Sequence, residues 1–153
     1  MRTAVEFELD YDRMIHLDAE DLAEGGIAEA YDLLLPELRQ HVANPQTLEE
    51  RLDNSVPHYS ILSGTKEFTV YSSTLDMGDG RTWGLATYAL FTIVNDQLTS
   101  SDYKLYAINA GNDLGGFFLS EEQAQAAQKT LPRKVDWPYL PTNQHPWYGM
   151  HHD

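Results

Sequence analysis

The longest apolar run of the sequence occupies residues 83–94 and is the centre of the predicted fold. Two periods compete in it: alternation would give a strand, whereas spacings of three and four give one apolar helix face. Because 83–98 is long for a strand, and the helical spacing continues to Leu98 through polar residues, the pattern predicts a buried helix over 83–98. Its apolar face contains Trp83, Thr87, Leu90, Phe91, Val94 and Leu98.

Two short runs rich in aromatic and aliphatic residues, 103–109 and 114–119, follow this helix and flank a cluster of turn-forming residues. This arrangement predicts a β-hairpin over 103–119. Ser120 and Gln123 then have the spacing of a capping box, in which each side chain accepts the backbone N–H of the other. The helix that begins there is predicted to span 120–131, because Pro132 cannot continue it.

The N-terminal segment 3–12 alternates apolar and acidic residues. This period of two predicts a strand with one face in the core and a row of carboxylates on the other. The acidic row is Glu6, Glu8, Asp10 and Asp12.

A helix is predicted over 18–42, broken into segments. Asp18 is a suitable N-cap, with Leu17 and Leu22 as a hydrophobic staple. Glycines 25–26 weaken helical continuity, and Pro36 lies off the apolar face, so the proline predicts a kink or a break into two segments. The apolar face consists of Ile27, Tyr31, Leu34, Leu38 and Val42.

Residues 47–50 form a second capping-box pattern, which predicts a short helix over 48–53. Residues 58–62 and 68–75 are predicted strands around a turn at 63–66. The chain is therefore predicted to be an α+β protein, in which strand 3–12 and the 103–119 hairpin share a mostly antiparallel sheet with helices packed on one face. The predicted core is Phe7, Leu34, Leu90, Phe91, Val94, Leu105, Ile108 and Phe118.

The predicted domain organisation is a single domain over 1–131, followed by a proline- and aromatic-rich tail over 132–153 that packs on the domain or extends from it. Within the tail, Trp137 and Tyr139 are expected to pack on the body, because the neighbouring prolines restrict the backbone before the rings dock.

Composition supports a folded chain, with 153 residues of which 42% are hydrophobic. The absence of cysteine excludes disulfide scaffolds and thiolate metal sites. The N-terminus lacks the apolar core of a signal peptide, and no apolar run reaches the roughly 18 residues that a membrane span needs. These features predict a soluble, cytoplasmic protein without membrane association.

The net charge of −14 is concentrated in the first third of the chain. Residues 1–53 contain 14 Asp and Glu against 4 Lys and Arg, a net of −10. Such a field repels nucleic acid and speeds encounter with a basic protein, although acidity that only maintains solubility is an equally weighted explanation. The predicted partner-binding residues are Glu6, Glu8, Asp10, Asp12, Asp18, Glu20, Asp21 and Glu24, with Trp147 and Tyr148 as apolar anchors.

No catalytic signature is present in the sequence, so a non-enzymatic protein without a cofactor is expected. His145, His151 and His152 cluster near the C-terminus, but their spacing fits no zinc motif, and no metal site is predicted. The glycine-rich loop 109–113 is the candidate small-ligand loop, through Asn109, Asn112 and Asp113.

Three functional classes follow from the sequence. The favoured one is an acidic protein-binding module, specifically an immunity-type stoichiometric inhibitor of a basic, nuclease-like or other toxin. The alternatives are a small-ligand-binding protein or enzyme with a site near loop 109–113, and an accessory or scaffold domain whose acidity serves solubility.

Overall fold

The computed structural model of the protein describes residues 14–53, 58–71, 81–108, 114–131 and 137–141. The predicted α+β fold is confirmed, with antiparallel strands and separate helices. The elements in chain order are β1 (Ile15–His16), α1 (Ala19–Asp21), a wide turn (Leu22–Gly26), α2 (Ile27–Leu38), β2 (Leu48–Asp53), β3 (His58–Ser63), β4 (Lys66–Tyr71), α3 (Arg81–Asp96), β5 (Tyr103–Ile108), β6 (Gly115–Ser120) and α4 (Glu121–Thr130).

Helix α3 confirms the helical interpretation of the longest apolar run, and it is the element around which the core is built. It contacts α1, α2, β4 and β5. Its Leu90, Phe91 and Val94 side chains are buried, as predicted. Because a helix that is apolar around most of its circumference must be covered on several sides, α3 needs both sheets and the N-terminal helices as neighbours.

Of the other predicted core residues, three are confirmed, one is not, and one is untested. Leu34, Leu105 and Ile108 are buried, whereas Phe7 lies outside the described residues. Phe118 is only half-buried and stacks on the His41 ring at a centroid distance of 5.5 Å. Its neighbour Phe117 is the buried aromatic residue, because the pleat of β6 turns adjacent side chains to opposite faces.

The hairpin and its following helix match the sequence-based prediction closely. Strands β5 and β6 pair antiparallel along their full length, and the 109–113 connection lies outside the described residues. The capping box is formed: the Gln123 N–H donates to the Ser120 hydroxyl at 3.1 Å, and the Ser120 N–H donates to the Gln123 side chain at 3.0 Å. Helix α4 ends at Thr130, with Leu131 as its C-cap.

The predicted helix over 48–53 is wrong, because this segment is strand β2. It pairs antiparallel with β3 from Leu48 opposite Ser63 to Asp53 opposite His58. A capping box supplies only two hydrogen bonds, and a helix this short lies below the length at which helix formation becomes favourable. Pairing along the whole strand therefore outweighs the local signal.

The strands in the described part of the chain are divided between two three-stranded sheets rather than gathered in one. The first sheet has the order β1–β6–β5, and the second has the order β2–β3–β4. Strands β3 and β4 correspond to the strands predicted at 58–62 and 68–75, of which 72–75 lie outside the described residues. The predicted strand 3–12 also lies outside them, and the two-residue β1 is the segment that pairs with β6.

Segment 137–141 lies against the outer edge of β5. Tyr139 and Ala107 exchange two backbone hydrogen bonds, at 2.7 and 2.9 Å. The Trp137 indole N–H donates to the Leu131 carbonyl at 2.9 Å, and burial raises the pKa of the Tyr139 phenol above its ordinary value. The predicted packing of Trp137 and Tyr139 on the body is confirmed, whereas the division into a domain and a tail stays a prediction.

The Asn95 side chain completes the protection of this edge by acting in place of a neighbouring strand. Its carbonyl oxygen accepts the Leu105 N–H at 2.7 Å, and its amide donates to the Leu105 carbonyl at 3.0 Å. The Tyr103 N–H is satisfied by the Ser101 hydroxyl at 3.0 Å. The outward-facing backbone groups of β5 are therefore occupied by side chains and by Tyr139, which blocks pairing with another strand.

We predict that Asn95→Ala lowers the free energy of unfolding by about 1–3 kcal/mol, because it leaves the buried N–H and carbonyl of Leu105 without hydrogen-bond partners. Asn95→Asp should also be destabilising at neutral pH, since it keeps an acceptor for the Leu105 N–H but turns a second carboxylate oxygen toward the Leu105 carbonyl. Urea titrations of the two variants measure both losses. Equal stability of Asn95→Ala and the unsubstituted protein would contradict the assignment of this edge.

Candidate binding groove

The candidate binding groove lies where α1 and α2 meet. Helix α1 is short, and its start was predicted from sequence. The Asp18 carboxylate accepts the Glu20 N–H at 2.9 Å, which caps α1. Leu17 and Leu22, the predicted staple, are both buried. These contacts fix the direction in which the chain enters the turn Leu22–Gly26.

Two adjacent glycines create the kink between α1 and α2, for two different reasons. Gly25 has φ +93°, a conformation that costs an L-residue with a side chain roughly 1–2 kcal/mol. A Cβ atom on Gly26 would lie 2.6 Å from the Asp21 carbonyl oxygen, so no side chain fits there. The kink is therefore specified by the sequence.

The break predicted at Pro36 is wrong, since α2 continues through this residue to Leu38. Pro36 is exposed and lies near the end of the helix. Proline has no N–H for the backbone carbonyl four residues before it. On the solvent-facing side of the helix, water can solvate that carbonyl, so the proline is accommodated. The predicted apolar face is confirmed, with Ile27, Tyr31, Leu34 and Leu38 buried and Val42 half-buried.

The first turn of α2 is joined to the second sheet by a buried tyrosine. The Ile27 N–H donates to the Tyr59 hydroxyl at 3.1 Å, and that hydroxyl donates to the Glu50 carboxylate. Gly26 has no side chain to cap the helix, and the Tyr59 hydroxyl accepts the N–H of the first residue of α2. The start of α2 is consequently tied to Tyr59 of β3 and, through it, to Glu50 of β2.

A second set of hydrogen bonds holds the buried face of α2 in place. The Tyr31 hydroxyl donates to the Gln46 carbonyl at 2.7 Å and accepts from the Gln97 amide at 3.0 Å. The same Gln97 side chain accepts the Gln46 N–H at 2.8 Å. Burial raises the pKa of the Tyr31 phenol, so this hydroxyl stays protonated and remains a donor at neutral pH.

The kink opens a surface groove of about 560 Å³. Its buried lining residues are apolar, and the side chain of Leu33 at its rim is 65% exposed, more than any other large hydrophobic side chain among the described residues. His16 also lies in the lining, which contains no Lys or Arg among the described residues. The carboxylates are those of Asp18, Asp21, Glu24 and Glu29, and the floor is formed by Leu17, Leu22 and Ala30.

The charge of this region has one sign over a long stretch of chain. Residues 14–38 contain seven Asp or Glu and no Lys or Arg. Because a concave surface over a low-dielectric interior concentrates the field of its charges, the groove attracts cationic groups more strongly than a flat acidic surface would.

The structure brings together part of the predicted binding set. Asp18, Asp21 and Glu24 line the groove, and Glu20 is half-buried within α1 without lining it. The predicted residues outside the described part are Glu6, Glu8, Asp10, Asp12, Trp147, Tyr148, Asn109, Asn112 and Asp113.

Glu29 and Leu33 belong to the groove but were missed by the sequence analysis. They are four residues apart on α2, off the apolar face, so helical spacing places them on the same side. The available signal was a leucine among acidic residues on the side of α2 opposite its apolar face, whereas hydrophobic periodicity identifies only the buried face.

A second cleft, of about 790 Å³, lies between the start of α4 and the strands β5 and β6. Lys104 lies among its acids Asp102, Glu121 and Glu122, so its field has mixed sign. Burial, and then the charge of Glu121, raise the pKa of the Tyr106 phenol beside it. This cleft lacks the uniform charge that distinguishes the groove.

Metal binding and membrane insertion find no support in the described residues. No group of three or more His, Asp or Glu side chains there converges as a metal site would require. No helix among them combines the length and apolarity needed to cross a membrane. Comparisons with protein-family models, curated proteins and solved structures give no match, so the groove must be interpreted from its own chemistry.

We predict that Gly25→Ala lowers the free energy of unfolding by about 1–2 kcal/mol, because alanine is strained at positive φ. Gly25→Asn should lose less, since asparagine tolerates this conformation better. Thermal and urea unfolding measure both. In an unkinked helix the alanine would instead stabilise the protein by about 1 kcal/mol, and that result would contradict the kink.

Proposed function

We propose that the chain is an acidic protein-binding module that holds a basic protein in the groove at the α1–α2 kink. The observation that carries this proposal is the combination of a single-sign acidic rim with an apolar floor and an exposed Leu33. Charge alone would serve solubility, and a single exposed leucine is common on protein surfaces, but Leu33 lines the same groove as the buried Leu17, Leu22 and Ala30, so apolar and acidic groups are available together to one partner segment.

The two parts of the groove have different roles in this proposal. Exposed ion pairs contribute only about 0–1 kcal/mol each, so the carboxylates mainly steer and orient the partner. Burial of Leu33 against an apolar side chain of the partner supplies the anchor. The partner segment therefore carries Lys or Arg residues around an apolar residue.

The more specific proposal is stoichiometric inhibition of an immunity type, directed against a basic toxin. An enzyme that acts on an anionic substrate, as a nuclease does, presents Lys and Arg side chains at its active site. A groove lined by Asp21, Glu24 and Glu29 has the complementary charge and would compete for those side chains. We also propose a cytoplasmic location, in keeping with a chain that contains no cysteine.

The test uses charge reversal in the groove together with a matched control. Glu24→Lys/Glu29→Lys reverses two rim charges, and Asp102→Lys/Glu122→Lys makes the same change in net charge at the second cleft. All four side chains are exposed, so both variants should fold. Proteins captured from the native organism by the unsubstituted chain are identified and purified.

We predict that the captured partner is basic and that its association rate, measured by stopped flow at low salt, falls roughly tenfold or more for the groove variant. The control variant should stay within a few-fold of the unsubstituted chain. Leu33→Ala should mainly accelerate dissociation. An acidic partner, or equal effects of the two double variants, would contradict the proposed site.

A further inference from the structure

Strand β2 is an edge strand that remains unpaired among the described residues. The sheet order is β2–β3–β4, and neither another strand nor an isolated bridge adjoins the outer side of β2. The other edges differ from it. The β5 edge is occupied by Asn95 and Tyr139, β1 is two residues long, and β4 has a Lys66–Asp96 ion pair at 2.8 Å to α3. Strand β2 also contacts a helix, α2, on the face that carries Glu50.

The sequence of β2 is complementary in charge to itself. Glu49 and Arg51 are both exposed, and their spacing of two residues places them on the same face of the strand. Neither forms an ion pair within the part of the chain that the structure describes. A charged edge normally repels pairing with another strand, but two opposite charges placed symmetrically about Glu50 repel most partners and fit a second copy of the same strand.

We propose that two copies of this protein associate through their β2 strands, antiparallel and centred on Glu50. The β2–β3–β4 sheet of one copy then continues into the β2–β3–β4 sheet of the other copy across a two-fold axis. In this register Glu49 of one copy lies directly opposite Arg51 of the other, and the symmetry makes this pair twice. The proposal is independent of the basic partner assigned to the groove.

Symmetry limits the possible registers, and charge pairing selects among them. A two-fold axis perpendicular to the sheet places residues of the same face opposite each other. Because side chains alternate between the two faces along a strand, each allowed register is centred on one residue that lies opposite its own copy. The adjacent registers place Glu49 opposite Glu49, or Arg51 opposite Arg51, and like charges directly opposite are destabilising. The Glu50-centred register is the one in which both exposed charges are paired.

Glu50 meets its own copy at the axis, and its environment makes this tolerable. Its carboxylate accepts the hydrogen bond from the Tyr59 hydroxyl of its own chain, on the face that packs toward α2. The same hydroxyl accepts the Ile27 N–H at the positive end of the α2 dipole. Each carboxylate is thus held toward its own chain rather than toward its symmetry mate.

Cysteine cross-linking tests the register directly, because the chain contains no cysteine of its own. Residues directly opposite in antiparallel strands have Cβ atoms roughly 4.5–5.5 Å apart, close enough for a disulfide with small adjustment. We predict that mixing Glu49→Cys protein with Arg51→Cys protein gives disulfide-linked heterodimers under mild oxidation. Either variant alone should cross-link much less, since its own cysteines are not opposite each other.

Charge exchange tests the energetics of the same contact. Sedimentation equilibrium should show dimers of the unsubstituted protein that weaken roughly tenfold in Arg51→Glu, because both symmetric pairs become repulsive. Glu49→Arg/Arg51→Glu should restore the dimer, since the pairs are only exchanged. Thr69→Glu, an exposed change on the opposite edge strand, serves as the control. Circular dichroism verifies that each variant is folded.

The possible outcomes separate clearly. Preferential mixed cross-linking together with rescue by the charge exchange supports the proposal. A protein that stays monomeric at the highest soluble concentration, cross-links that ignore the pairing of positions, or a charge exchange that fails to restore association each overturns it. Loss of the dimer in the groove variants, with β2 unchanged, would also overturn it.

Discussion

The hydrogen bond from the Ile27 N–H to the Tyr59 hydroxyl joins the kinked N-terminal segment to the second sheet, and the position of the groove depends on it. Gly25 and Gly26 allow the chain to bend, but a bend alone leaves α2 free to change its direction. Tyr59 removes that freedom because it is buried and its hydroxyl has a second partner in Glu50. A satisfied buried polar group of this kind is costly to displace.

The same contact connects the two proposed binding surfaces without making them one site. On one side of Tyr59, the start of α2 shapes the acidic groove around Glu24 and Glu29. On the other side, Glu50 lies at the middle of β2, whose outer edge is proposed to pair with a second copy. A dimer would then present two grooves, so a partner with two basic segments would gain from binding both.

Sequence patterns predicted the elements whose signals are local and strong. The period of the apolar residues identified α3, and the capping box at Ser120 identified the start of α4. The same kind of local signal failed at β2, where pairing with β3 outweighed a capping box. The division into two sheets and the hydrogen bond of Tyr59 to Ile27 join residues distant in sequence, so no periodicity could have shown them. Three acids of the groove were among the predicted binding residues, whereas the exposure of Leu33 depends on how α2 packs and is known only from the structure.

Amide hydrogen exchange at Ile27, followed by NMR, reports on the contact between α2 and Tyr59, since this N–H is the donor to the Tyr59 hydroxyl. We predict slow exchange in the unsubstituted protein and exchange roughly tenfold or more faster in Tyr59→Phe, with the Leu34 amide in the middle of α2 unchanged. An Ile27 amide that exchanges as fast as an unprotected one in the unsubstituted protein, or one indifferent to Tyr59→Phe, would contradict the account.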